Sequence, residues 1–258
     1  MADLNNRGYA RNTGVAGTAY AVDEGLRAYM LRVYNYMAIG LAITGVAAMI
    51  VYALSVTSVE SEAVARIGTT MLTNVGYAIF VSPLKWVVIL APLAMVFFLS
   101  FRVNSMSVSA AQMSFWVFSL LMGISLASVF LVYTQASIAR VFFITAISFG
   151  GLSLWGYTTK RDLSGWGSFL MMGLIGIIVA SVVNIFLQSS GMEWVISVAG
   201  VLIFAGLTAY DTQSIKEMYF SGDSQDVAGR KAIMGALRLY LDFINMFLML
   251  LRLFGNRN

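Results

Sequence analysis

Two aspartates stand where a carboxylate is costly. Asp211 sits in GLTAYDTQSIKEMY and Asp242 in LYLDFINMFLMLLRLFG, each beside or within a long apolar run. An ionised carboxylate in hydrocarbon costs at least ~2.5 kcal/mol on insertion scales, so an intramembrane acid is by default a functional residue. Two such groups brought together also repel, and a close pair titrates as a unit and shares a proton. Such a pair can hold a pathway shut while it shares that proton, or bind a cation when both carboxyls are ionised. The chain contains no histidine and no cysteine. Disulfides, thiolate and imidazole metal sites, cysteine nucleophiles and the usual switch near neutral pH are therefore excluded.

The elements that must position these groups are membrane-spanning helices. Of 258 residues, 59% are hydrophobic and 11% charged, against about a quarter charged in a soluble domain. Apolar runs long enough to cross a bilayer fall at roughly 33–56, 84–103, 110–133, 137–157, 166–188, 193–215 and 232–254. Residues 1–32 read as a flexible polar tail, with a short amphipathic helix from Asp23 into the membrane, and 33–258 as one all-α transmembrane domain of seven helices. The loop at 57–83 holds a semi-apolar piece able to lie on the membrane surface, and Pro92 is expected to free a backbone carbonyl inside the second span. With the N-terminus inside, ten basic residues fall in inside segments and three in outside loops, which favours a cytoplasmic N-terminus. Arg252 and Arg257 near the end leave the side of the C-terminus open. The net charge of +4 belongs to this loop bias. No basic stripe with interleaved aromatics marks a nucleic-acid surface.

With the sixth helix ending near Tyr219 and the seventh starting near Arg230, Asp211 lies 8 residues before the turn and Asp242 lies 12 after it. The depth mismatch is ~6 Å at the helical rise, so the carboxylates of two antiparallel neighbours can meet. Plainer readings stand beside this one. Asp211 can sit at the interface, where Thr212, Gln213 and Lys216 mark a polar exit, and Asp242 can pair with Arg238 or bond near Asn245. Arg102, in SFRVNS, reads as a counter-charge or as an anchor that snorkels to the headgroups. Arg252 has the same two readings. Gly40 with Gly45, and Gly173, Gly176 and Ala180, offer small faces for helix packing. Trp86, Tyr133, Trp155, Tyr157, Trp166 and Trp194 fall near span ends, as an aromatic belt would.

The run from Gly206 to Tyr219 resembles the signature of the transmembrane Bax inhibitor motif family, in its bacterial branch. So does the last span, with Leu239-Tyr240-Leu241-Asp242-Phe243-Ile244-Asn245 followed by Leu250-Leu251-Arg252. The resemblance implies seven helices with the last one central and wrapped by the other six, a pH-sensitive calcium leak, and a bacterial inner membrane. It places the paired aspartates on Asp211 and Asp242, as proton sensor and calcium ligands, and their basic latch partner on Arg102. Arg238, Asn245 and Arg252 are modulators on this reading. No cofactor is expected beyond calcium as the permeant ion, and no enzymatic activity.

Two other function classes compete. A membrane regulator or adaptor that binds another membrane protein, such as a quality-control protease, needs no flux and would use the N-terminal tail. An intramembrane aspartyl protease also uses two carboxylates sharing a proton. Its second aspartate belongs in a GxGD motif, whereas here it lies in LYLD, and proline occurs only at 83 and 92.

Overall fold

The computed structural model describes residues 6–258, with side chains from residue 24 onward. Over these residues the chain is helical apart from one small sheet. The elements are α1 (Asn6–Ser55), β1 (Val56–Thr57), β2 (Ala65–Ile67), β3 (Thr70–Leu72), α2 (Asn74–Phe80), α3 (Leu84–Arg102), α4 (Val108–Leu126), α5 (Val129–Val132), α6 (Gln135–Thr158), α7 (Ser164–Leu187), α8 (Ser190–Glu217) and α9 (Gln225–Phe254). Seven stretches are long and apolar enough to cross a membrane: the part of α1 from Glu24, α3, α4 with α5, α6, α7, α8 and α9. They match the seven expected spans in number and order. Tyr29 and Met30 are buried in the first. Of the tail expected over 1–32, residues 1–23 lie outside those whose side chains are described.

Local chemistry explains the helix starts. Ser107, Thr134, Ser189 and Ser224 each stand just before a span and accept a backbone N–H from Ala110, Ser137, Met192 and Val227. These side chains satisfy amides that the first helical turn leaves without a partner. Several hydroxyls buried inside the spans are satisfied in the same economical way. Ser119, Thr145, Thr208 and Thr212 each donate to the carbonyl four residues earlier, at 2.7–2.9 Å. Polar residues can thus be buried in an apolar bundle without leaving donors unpaired.

The last span is the most buried. Of its most apolar stretch 72% is buried, against 39% for α8 and 11% for α3 and for α7. Helices α1, α4, α6 and α8 pack directly along α9, while α3 packs chiefly on α4 and α7 on α8. The last helix is thus the most buried of the seven, and four others pack directly along it. A cavity occupies the space that α3 and α7 would need to fill. Both peripheral helices turn large apolar side chains outward, including Phe97, Phe101, Phe169, Met172 and Phe186, as lipid contact requires. Trp86, Trp166 and Trp194 are likewise exposed near the starts of their helices, whereas Tyr133 turns into the protein.

Three close approaches hold the frame. Tyr240 on α9 meets the rings of Phe115 and Phe118 on α4 edge-on, and its hydroxyl bonds Thr44 Oγ1 on α1 at 2.6 Å. Gly40 on α1 lies under Phe115, and Gly156 on α6 lies against the backbone of Ala209 on α8. Of the small faces expected, Gly40 and Gly173 mark real close approaches, while Gly45 and Gly176 have open space around them.

The loop after α1 is a three-stranded sheet in the order β1-β3-β2, with Gly68 at φ +56° in the tight turn before β3. It continues into α2, capped by Thr73. The membrane-surface reading of this segment missed the strands, whose two to three residues each are too short to show a period. Helix α3 runs unbroken through Pro92. The last helix crosses fully. Asn256 O accepts from Thr134 N, and Asn258 N donates to Val132 O, so the C-terminus sits at the end of the bundle that carries the α5–α6 connection.

A branched side chain at Gly156 must displace the Ala209 backbone. The expected cost of Gly156→Val is about 1–3 kcal/mol, the range for overpacking, read as a lower thermal midpoint of the solubilised protein. Gly176→Val, in open space, is the control and is expected to leave that midpoint within error.

Candidate functional site

Asp211 and Asp242 come together on the α8–α9 hairpin. Two contacts fix its register. Gly235 on α9 lies against Ile215 on α8, and farther along Gly200 lies against Met249. Between these points Asp242 is level with a residue about one turn N-terminal to Asp211 on α8. Side chains on a helix lean toward its N-terminus. On antiparallel helices that lean carries the two carboxyls toward each other and closes the offset, leaving them within hydrogen-bonding reach. Ionised carboxylates only accept hydrogen bonds, so two at this range must share a proton or a cation.

Burial sharpens that demand. Asp242 is 5% exposed, and its Oδ2 has no hydrogen-bond partner among the described residues. Asp211 is half-buried. Both line a cavity of about 820 Å³ between α3, α7, α8 and α9. On α9 the cavity wall is a single face, made of Arg238, Leu241, Asp242, Asn245 and Met249 at helical spacing. On α8 it is Phe204, Leu207, Tyr210 and Asp211. Asn245 donates its amide N–H to Leu241 O at 2.8 Å, which fixes the side chain against the helix one turn beyond Asp242. A second cavity, about 470 Å³ and more polar, is lined by Asn184, Gln188, Glu193 and Arg252 and shares Ser181 and Ile185 with the first. The two together run along α7, α8 and α9 from the carboxyl pair to the end of the bundle that carries the C-terminus.

The basic residue on the cavity is Arg238. It forms no ion pair with either aspartate among the described residues, where the ion pairs are Arg66–Glu60, Lys231–Asp223 and Arg257–Glu193. It is still close enough for its charge to act on both carboxyls. Arg102 is not brought to the pair. It is exposed in the last turn of α3, where a cation suits the helix dipole, because α3 packs on α4 and sends this side chain outward. The anchor reading fits that position; the latch reading has no contact to support it. Arg252 faces the second cavity, and Arg257 pairs with Glu193 beside it at 3.1 Å.

The residues around Asp211 divide their contacts in a way the sequence did not reveal. Tyr210 turns into the cavity, and its ring packs over Gly167 on α7. Thr212 turns to α6 and bonds Ser153 at 2.8 Å. Gln213 clasps the α6–α7 connection: its Oε1 accepts from Leu163 N at 2.8 Å and its Nε2 donates to Arg161 O at 2.9 Å. Lys216 donates to Tyr157 O at 2.9 Å. Residues read as a polar exit are thus the ties that close this end, here termed the basic end, over the cavity. A glutamine with both ends of its amide in demand carries no sequence signature. The connection beneath it also holds Asp162, whose carboxyl lies below the usual range because it accepts from Ser164.

Among the described residues no group of three or more acidic side chains could hold a metal ion. The pair supplies two carboxylates, where a calcium ion takes six to eight oxygens. Hard oxygen donors are thus present for a hydrated cation in passage, in a number too small for a tight resident site. Removing the Gln213 amide leaves Leu163 N and Arg161 O without these partners. Gln213→Leu is expected to raise hydrogen exchange at residues 159–164 by roughly tenfold or more, the effect of one lost buried hydrogen bond. Exchange elsewhere in α8 should stay unchanged, as mass spectrometry of the solubilised protein can check.

Residues 26–258 match the family described as inhibitor of apoptosis-promoting Bax1. Among similar proteins, the inner membrane protein YbhL of Escherichia coli is 47% identical over 235 residues, 90% of this chain and 93% of its own length. An uncharacterised protein of Caulobacter vibrioides is 46% identical over 97% of both chains, and RP147 of Rickettsia prowazekii is 46% identical over 91% of this chain and 92% of its own. With seven spanning helices, a buried α9 and this extent of match, the chain is a membrane protein of the Bax inhibitor-1 family.

Proposed function

We propose that the protein is a pH-sensitive cation leak of a bacterial inner membrane, with calcium the conducted ion and the basic end in the cytoplasm. The observation that carries this reading is the position of the pair. Two carboxyls within hydrogen-bonding reach, one of them almost fully buried, face a cavity that continues to the far end of the bundle.

A pair that holds one proton carries a single negative charge and bonds to itself across the α8–α9 seam. When that proton leaves, two negative charges face each other in low dielectric and must separate or take up a cation. Both outcomes change the seam and the charge offered to an ion in the cavity. The cavity's polar groups are oxygens and an arginine, and no thiol or imidazole occurs in the chain, so the ion chemistry is that of a hard cation. Arg238 lowers the net negative charge of the wall and disfavours tight retention, which suits passage. The closure at the basic end, made by Gln213 with Arg161 and Leu163 and by Tyr210 over Gly167, is the barrier that must move. In this reading Asp211 and Asp242 are sensor and transient ligand together, and Asn245 and Arg252 line the route outward.

Calcium entry into liposomes containing the purified protein, scanned from pH 6 to 8, tests this directly. Flux through the wild-type protein is expected to depend on pH. The double variant Asp211→Asn/Asp242→Asn, which has no proton to lose at the pair, is expected to show flux that no longer varies with pH. Equal pH dependence in the two would overturn the assignment of the pair as sensor. Absence of flux at every pH, with the protein folded, would overturn the leak and favour an adaptor that acts by binding another membrane protein.

A further inference from the structure

We propose that the groove between α1 and α6 at the basic end binds one anionic phospholipid of the adjoining leaflet, with its phosphate at Arg27 and an acyl chain laid along the helices. The groove has a volume of about 360 Å³ and is walled by Arg27, Met30 and Tyr34 on α1 and by Phe149, Gly150 and Tyr157 on α6. Its lips, Leu31 and Leu154, are 52% and 63% exposed. On the flank of a spanning bundle such an opening faces lipid.

Three features select the occupant. The first is depth. From Arg27 to Tyr34 and from Tyr157 to Phe149 the groove covers ~10–12 Å at the helical rise, close to the ~15 Å of one leaflet's hydrocarbon. It therefore begins at the headgroup level and ends near the midplane, as an acyl chain does.

The second is charge. Arg27 stands at the mouth, Lys160 and Arg161 follow the end of α6, and Lys216 lies 5.3 Å from the centre of the Tyr157 ring. Among the described residues the acidic groups at this end include Glu24, Asp162, Glu217 and Asp223; Asp162 already accepts from Ser164 N and Asp223 is paired with Lys231. A net positive mouth favours a headgroup with net negative charge over a zwitterion.

The third is the floor. Thr212 Oγ1 donates to Thr208 O, so Ser153 must donate to Thr212 and Tyr34 must donate to Ser153, at 2.8 and 2.6 Å. The hydroxyl protons of Tyr34 and Ser153 are both spent inside the protein, and an apolar chain can lie over them without leaving these donors unpaired.

The test is thermal unfolding of the full-length protein in detergent, titrated with phosphatidylglycerol or with phosphatidylcholine of the same acyl chains. Phosphatidylglycerol is expected to raise the midpoint in a saturable way and phosphatidylcholine to raise it much less. Arg27→Gln is expected to weaken the apparent affinity for phosphatidylglycerol about fivefold, the effect of one basic contact at a membrane surface. Gly150 has open space where a side chain would begin. Gly150→Leu should therefore fill the groove and abolish the response without lowering the lipid-free midpoint. Equal responses to the two lipids, or an undiminished phosphatidylglycerol response in both variants, would overturn the site. If Gly150→Leu proves unstable, the lipid pair and Arg27→Gln still decide. None of these readouts involves ion flux, so their failure leaves the aspartate-pair reading standing.

Discussion

The carboxyl of Asp242 is buried on the most buried helix of the bundle, and it meets the carboxyl of Asp211 on the neighbouring one. A single buried charge is expensive in this setting, and two would be worse. The α8–α9 seam therefore depends on a proton or a cation at one point. Other contacts limit where relief can be found. On the side away from the cavity, α9 is locked by Tyr240 to α1 and α4. On the side of the pair, α3 and α7 stand back and leave the cavity. The open space beside the pair is thus that cavity.

The rest of the bundle avoids competing demands. Ser119 on α4, Thr145 on α6, and Thr208 and Thr212 on α8 return their protons to the preceding helical turn. Helix starts carry their own Ser or Thr caps. Such groups hold the frame in place without titrating. Polar side chains tie elements together at both ends: at the basic end Gln213 and Lys216 bind the α6–α7 connection and α6, and Lys231 binds Met218 O just past α8, while at the other end Arg257 pairs with Glu193 and Asn258 bonds the α5–α6 connection.

Much of this was legible in the chain, for physical reasons. The spans follow from length and hydropathy, which the bilayer imposes directly. The meeting of Asp211 with Asp242 was legible from an antiparallel hairpin with a constant helical rise, although α9 begins at Gln225, five residues before the start assumed in the count. The counter-charge was harder. Arg102 and Arg238 both lie near helix positions able to face the pair, and only the rotation of each helix about its axis decides between them. That rotation is set by packing, by Gly235 on Ile215 and by α3 on α4, and no single-residue pattern encodes it. The same holds for Gln213, whose importance rests on a loop fifty residues away. The small sheet was invisible because its strands are shorter than the period that would identify them.

The central claim is that one proton is held between two carboxyls inside the bundle. The most direct measurement is infrared spectroscopy of the reconstituted protein, following the carbonyl band of a protonated carboxyl group as pH is raised from 5 to 8 with and without calcium. The account predicts a protonated-carboxyl band that disappears in a single titration, is lost at lower pH when calcium is present, and is absent from Asp211→Asn/Asp242→Asn. A wild-type spectrum with no such band at any pH, or a band that persists in the double variant, would contradict it.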